Sequence, residues 1–179
     1  REYHDGLLLY EISNRLVWDK AAKDEAGLAA FFKKNRKRYA WTEPRFKGIA
    51  YNCKDAADVE AVKRSIKKVD FYDWAETLRK QFNDSTLRIK VVKGIFKKGD
   101  NALVDREIFN VDTTYTAPKG YEHAAVFGKK LKAPKTYDDV RELVVADYQE
   151  YLEKQWIANL RKQYPVVLNE EALATVNKH

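Results

Sequence analysis

The chain has 179 residues, of which 45% are hydrophobic and 13% aromatic, and its formal net charge is +7 at pH 7. That much apolar material can bury a core in one domain with extensions, which excludes a wholly disordered chain. The single cysteine, Cys53, excludes an internal disulfide and a multi-cysteine metal site. No run of residues approaches the roughly 20 apolar positions of a membrane helix, so we expect no transmembrane segment.

Two helices are predicted before the first proline. Apolar residues four apart predict a helix over 3–20 that buries one broad face. Asp24 is a candidate N-cap for a second helix, which should end near Tyr39. Pro44 marks a boundary, because the residue before a proline disfavours the helical conformation. The stripe of the first helix consists of Leu8, Ile12 and Leu16.

The middle of the chain mixes strand and helix signals. Alternating or β-branched runs bounded by turn formers predict strands, and apolar residues spaced three and four apart predict helices. We expect strands over 45–53, 87–96 and 123–131, helices that begin at Asp55 and Asp70, a turn over 97–100, a short helix over 102–110 and a loop over 111–120.

A long helix is the strongest single pattern. Its apolar residues stand four apart over about seven turns, so the stripe drifts around the helix and must contact more than one neighbour. Thr136 with Asp139 predicts a capping-box start, and Pro165 stops the helix. A short extended piece over 166–168 should precede a last helical turn or two capped by Asn169. The stripe comprises Val140, Val144, Tyr148, Leu152, Trp156, Leu160 and Tyr164.

This order of elements predicts an α+β fold, with a small, mostly antiparallel sheet packed by helices and flanked by helices from both chain ends. We divide the chain at the proline-marked boundary and before the long helix. The expected parts are an N-terminal helical extension (1–43), an α+β domain (44–132), and a C-terminal part (133–179) whose long helix and short strand and helix pack with the N-terminal helices.

Two motifs in the α+β domain resemble the parvulin family of peptidyl-prolyl isomerases. The stretch Gly94-Ile95-Phe96-Lys97-Lys98-Gly99-Asp100 leads into the short helix that ends at Phe109, and Gly120-Tyr121-Glu122-His123 opens the last strand. The outer parts, 1–40 and 136–176, look like the helices that flank parvulin modules in SurA-like and PpiC-like periplasmic folding factors.

The resemblance implies an exported, periplasmic folding factor whose clients are unfolded or proline-containing polypeptides. It implies no cofactor and no metal, and it suggests that the chain is the second half of a longer protein. The enzymatic reaction implied is rotation about a prolyl peptide bond, whose barrier is about 18–20 kcal/mol. Lowering that barrier requires an apolar pocket for the ring and polar groups near the amide.

The residues of that site carry over only in part. In active parvulins, two histidines face each other across the sheet. His123 is the candidate for the second, whereas Lys47 and Gly48 occupy the position of the first. The catalytic pair is therefore incomplete, and we expect weak or absent isomerase activity. A lone histidine beside a strand start is also, and more often, a surface residue. The candidate substrate-binding residues are Phe96, Asn101, Val104, Ile108, Phe109 and Tyr121.

Two other classes of function compete with this interpretation. A basic nucleic-acid-binding module is the main alternative, motivated by the net charge and by the run from Lys33 to Arg38. Such a run is more often a solvated helix face, and no reader motif accompanies it, so we expect no nucleic-acid partner. A hydrolase or metalloenzyme is weaker still, because the three histidines show no paired ligand spacing and no nucleophile or phosphate-loop motif is present.

Overall fold

A computed structural model describes residues 2–165 and 167–176. The fold is α+β with one small antiparallel sheet, as the sequence predicts. A π-helical segment (Asn14–Trp18) joins the first two helices, and 3-10 turns cover Arg36–Tyr39, Phe71–Asp73 and Tyr137–Val140. The helices and strands are α1 (Glu2–Ser13), α2 (Asp19–Lys23), α3 (Glu25–Lys34), β1 (Arg45–Cys53), α4 (Ala56–Ile66), α5 (Trp74–Phe82), β2 (Ile89–Phe96), α6 (Ala102–Glu107), β3 (His123–Leu131), α7 (Arg141–Gln163) and α8 (Glu170–Val176).

The chain folds into two compact units. Residues 40–134 form the sheet unit, which holds β1 to β3 with α4, α5 and α6. The described residues on either side of that range form the helical unit, which holds α1 to α3, α7 and α8. None of the helices in the described part of the chain is both long and apolar enough to cross a bilayer.

The sheet unit is built around the central strand β1. β2 and β3 pair with it on either side, both antiparallel, in the order β2-β1-β3. Because side chains alternate between the two faces of a strand, each sheet face collects every second residue. Ile49, Tyr51 and Cys53 pack beneath α4 and α5, whereas Phe46 and Ala50 pack with α6. We call these the α4/α5 face and the α6 face.

Capping residues set the starts of α4 and of the turn that precedes α5, as predicted. The Asp55 carboxylate accepts from the Ala57 N–H at 3.1 Å, and that of Asp70 accepts from the Tyr72 N–H at 2.9 Å. Each cap satisfies an amide that has no partner within its own helix. The helices then bury Val62, Ile66, Trp74, Leu78 and Phe82 against the sheet.

The helical unit has its own core where α3 crosses α7. Asp24 caps α3 through the Gly27 N–H at 2.9 Å, and it also accepts from the Tyr148 hydroxyl at 2.7 Å. The predicted capping box of Thr136 and Asp139 is confirmed. Buried residues of this core are Ala21, Leu28, Phe32, Tyr39, Val144 and Tyr148.

The first helical stretch differs from the prediction in its burial. The segment is helical, but the leucines of its expected core face are exposed, and Val17 and Ala21 are the buried residues among 3–23. Within the described residues of the helical unit, no element covers that face, and the four consecutive apolar residues 7–10 also point to different sides of a helix that turns 100° per residue. We call residues 3–18 the N-terminal apolar segment.

Three smaller differences have local causes. β2 begins at Ile89 rather than at 87, because the Asn83 side chain binds the amides of Arg88 and Ile89. The short helix ends at Glu107, ahead of Asn110, whose φ of 53° is left-handed. Of the predicted extended piece, Val166 lies outside the described residues, and 167–168 have no regular structure.

Candidate functional site

Most of the predicted substrate-binding residues meet on the α6 face of the sheet. Phe96 and Val104 are buried there with Phe46, and their rings and methyl groups form one apolar cluster. Ile108 and Phe109 pack against its rim. This cluster is an apolar floor of the kind that a proline ring requires, but its members are mostly buried by one another.

Asn101 has a structural task in this cluster. Its side-chain oxygen accepts from the N–H groups of Leu103 and Val104, at 3.0 and 3.1 Å, and so caps α6. The buried carboxylate of Asp105 accepts from the Gly99 N–H at 3.0 Å, which fixes the turn before the helix. Gly99 has a φ of 94°, a left-handed conformation that favours glycine. The predicted turn and helix therefore position Val104 over the sheet.

Tyr121 lies at the other end of the α6 face and is held by buried Asn52. The Asn52 amide donates to the Tyr121 carbonyl at 3.1 Å and accepts from the Tyr115 hydroxyl at 2.7 Å. The ammonium groups of Lys54 and Lys90 lie over the Tyr121 ring, 5.3 and 4.6 Å from its centroid. This end of the face is thus cationic and aromatic.

His123 is not brought together with those residues. It pairs with Cys53 in the β1–β3 register, on the α4/α5 face, whereas the neighbouring Ala124 packs with the α6 cluster. Its side chain is exposed. Beside it, the Gly120 N–H donates to Glu122 at 2.7 Å and lowers the pKa of that carboxyl. The catalytic role of His123 stays a prediction.

The positions of the first parvulin histidine are filled differently. Lys47 points to the α4/α5 face, with its ammonium 4.8 Å from the Phe71 ring centroid and 4.9 Å from that of Tyr72. A side chain at position 48 would point to the α6 face. Its Cβ atom would lie 2.3 Å from the Phe127 carbonyl oxygen and 2.7 Å from the Phe46 ring. An imidazole at position 48 therefore has no room.

Cys53 is buried at the end of β1 and is not placed for nucleophilic chemistry. Burial raises the pKa of its thiol to about 11, and nearby Asp58 adds to the effect. The reactive form of a cysteine is the thiolate, which is scarce at neutral pH in such a site. Cys53 accordingly acts as a small core residue.

Sequence reasoning missed two features that the fold assembles from distant residues. In the sheet unit, Lys93 lies 4.8 Å from the Phe71 ring and donates to the carbonyls of Phe71 and Tyr72, both at 3.1 Å. Burial lowers the pKa of this lysine. No spacing signal could reveal the cluster, because its lysines, Lys47 and Lys93, stand on neighbouring strands.

The second missed feature is a cleft between α3 and α7 in the helical unit. It measures about 310 Å³, and three aromatic rings and Lys34 line it. Phe31 lies 5.4 Å from both Tyr148 and Tyr151, centroid to centroid. The aromatic content of the two helices is a sequence signal for it, but only their crossing places the rings together.

No group of three or more metal-ligating side chains occurs within residues 2–165 and 167–176.

The chain was compared with known proteins at three levels. No family model, no curated protein and no solved structure matches it.

Proposed function

We propose that this chain is a protein-folding factor of the exported parvulin/SurA type, which binds unfolded polypeptide and has weak or absent prolyl-isomerase activity. The observation that carries the proposal is the exposed N-terminal apolar segment of the helical unit. The order β1–α4–α5–β2–α6–β3 is also the order that the parvulin resemblance implies.

Exposed large hydrophobic side chains are concentrated in the helical unit. In the described part of the chain, the exceptions are Tyr72, Leu87 and Val92. The N-terminal apolar segment alone ranges from 37% exposed at Trp18 to 82% at Tyr3. Contiguous apolar surface is costly in water and marks a binding site in a stable protein. The exposed residues of the N-terminal apolar segment are Tyr3, Leu7, Leu8, Leu9, Tyr10, Ile12, Leu16 and Trp18.

This surface suits an unfolded client better than a single folded ligand. Leucine and tyrosine project around the whole helix rather than into one shaped pocket, so many apolar sequences can be accommodated without a fixed register. The aromatic cleft between α3 and α7 adds a second apolar contact within the same unit.

The chain is expected to suppress aggregation of a reporter enzyme diluted from denaturant. Replacing Leu8 and Leu9 together with glutamine, a good helix former, should remove more than about half of that suppression, because it removes apolar contact area and leaves the helix intact. Light scattering measures the effect.

A matched double substitution provides the control. Leu143→Gln with Val92→Thr also removes two exposed apolar side chains, but both lie outside the N-terminal apolar segment. It should leave suppression unchanged. Equal loss in both variants, or no suppression by the unsubstituted chain, would contradict the proposal.

Isomerase activity is expected to be weak or absent. The α6 face offers no imidazole pair, since His123 belongs to the opposite face and Gly48 has no space for a larger side chain. A protease-coupled assay on a proline tetrapeptide measures this. Turnover near the level of active parvulins would overturn the expectation.

The basic run from Lys33 to Arg38 is partly neutralised in the structure. Arg38 pairs with Asp147 at 3.0 Å, and Tyr39 donates to the same carboxylate at 2.7 Å. This geometry favours a structural part for Arg38. Strong, salt-sensitive retention on heparin without aggregation suppression would favour the nucleic-acid alternative instead.

A further inference from the structure

The outer edge of β2 is a strand edge with free main-chain groups beside a cleft. The Ile89 N–H donates to the Asn83 side chain at 3.1 Å, and the Ile89 carbonyl accepts from it at 2.9 Å. The backbone of Ile89 therefore points away from β1. In an antiparallel pair this direction alternates, so the N–H and C=O groups of Val91, Lys93 and Ile95 point outward as well.

These outward groups have no hydrogen-bond partner among the described residues. The Asn83 amide already occupies the first position of the edge in the way that a neighbouring strand would. An exposed edge of this kind is a template for one more strand, whose axis would lie about 4.8 Å away.

A cleft of about 400 Å³ runs between this edge and α5. Leu78, Leu87 and Val91 supply apolar walls, and Leu87 is half exposed. The cleft gives the side chains of an added strand an apolar place to dock. Main-chain pairing and such a pocket together are the two components of recognition by strand addition.

The charge along the β2 edge selects among occupants. Arg79, Lys90 and Lys93 line the cleft, but Glu76 pairs with the Arg79 guanidinium at 2.8 Å, and the Lys90 ammonium lies over the Tyr121 ring on the α6 face. Pairing of two copies through β2 would bring these lysines together, and like charges on facing strands are destabilising. An added strand that docks apolar side chains in the cleft turns its alternate side chains toward the α6 face, where the Lys90 ammonium attracts acidic groups.

We propose that the outer edge of β2 binds an extended polypeptide segment that alternates apolar and acidic residues, as an added strand. This inference goes beyond the proposed function, because it concerns the sheet unit and does not require the N-terminal apolar segment.

The probe is a fluorescein-labelled octapeptide of alternating valine and glutamate, with fluorescence anisotropy of the full chain as the measurement. It should bind, and the same peptide with lysine in place of glutamate should bind at least about tenfold more weakly. Binding of both peptides alike would overturn the charge complementarity. No binding of the acidic peptide would overturn the site.

Main-chain pairing is tested on the peptide, which leaves the protein intact. One octapeptide is N-methylated at every valine and another at every glutamate. Because only one of the two sets of amides can face β2, one methylated peptide should lose binding and the other should retain it. Equal behaviour of the two peptides would contradict strand addition.

Protein variants locate the site. Val91→Pro removes an outward N–H without removing a bond to β1, and it should weaken binding at least about tenfold. Lys90→Gln should also weaken it, whereas Lys67→Gln, which removes one exposed charge elsewhere in the same unit, should not. Self-association of the chain that Val91→Pro abolishes would assign the edge to a second copy and overturn the proposal.

Discussion

Replacing Gly48 with alanine is expected to lower the free energy of unfolding by about 3 kcal/mol. The added Cβ atom would lie 2.3 Å from the Phe127 carbonyl oxygen. That oxygen belongs to the backbone of β3, so the clash is relieved only if paired strands move apart. Urea unfolding followed by circular dichroism measures the loss.

Gly94 provides a matched control for this substitution. It pairs directly with Gly48 across the sheet, but a Cβ atom there would meet the Phe96 ring at 3.5 Å, an ordinary contact. Gly94→Ala should therefore cost less than about 1 kcal/mol. Equal losses at the two glycines would contradict the close approach of β1 and β3 that excludes an imidazole at position 48.

Replacing Asn52 with alanine is expected to destabilise the chain by about 2–4 kcal/mol. The substitution removes two hydrogen bonds and leaves the Tyr121 carbonyl without its partner at a buried site. It should also release the loop before β3 from the α6 face. Increased amide hydrogen exchange at 111–121, together with the unfolding energy, measures both consequences.

Tyr115→Phe isolates one of the two bonds and should cost about 1 kcal/mol. Because Tyr115 and Asn52 share that bond, the double variant should cost less than the sum of the single ones by about 1 kcal/mol. Additive losses would show that the Tyr115 hydroxyl and Asn52 do not stabilise one another.

The sequence was sufficient to predict the fold class because its signals are local. The cap residues Asp24, Asp55 and Asp70 precede clear apolar stripes, and each cap is confirmed. Strand boundaries were less predictable where a side chain from another element decides them. Asn83 is the example, since its amide determines where β2 begins.

The candidate site could be predicted only in part, because the register of the strands decides to which sheet face a side chain points. Motif positions alone place His123 near Tyr121, but the register with Cys53 puts its side chain on the opposite sheet face. The space around Gly48 likewise depends on β3, which is remote in sequence. Residue type and spacing give neither the strand register nor the space around a residue.

Burial of the N-terminal apolar segment could not be deduced from its hydrophobicity. A spacing of four among Leu8, Ile12 and Leu16 predicts a core face, but burial also needs a neighbouring element to cover that face. α7 covers Val17 and Ala21, and the described part of the helical unit leaves the leucines before them exposed. The property that supports client binding is therefore one of tertiary structure.

Site-specific photo-crosslinking tests client binding by this segment most directly. A benzoylphenylalanine at position 9, in place of exposed Leu9, should crosslink an unfolded reporter protein but not its folded form. The same group in place of Lys68, an exposed residue of the sheet unit, should crosslink neither. Efficient crosslinking from position 68 with none from position 9 would contradict the account.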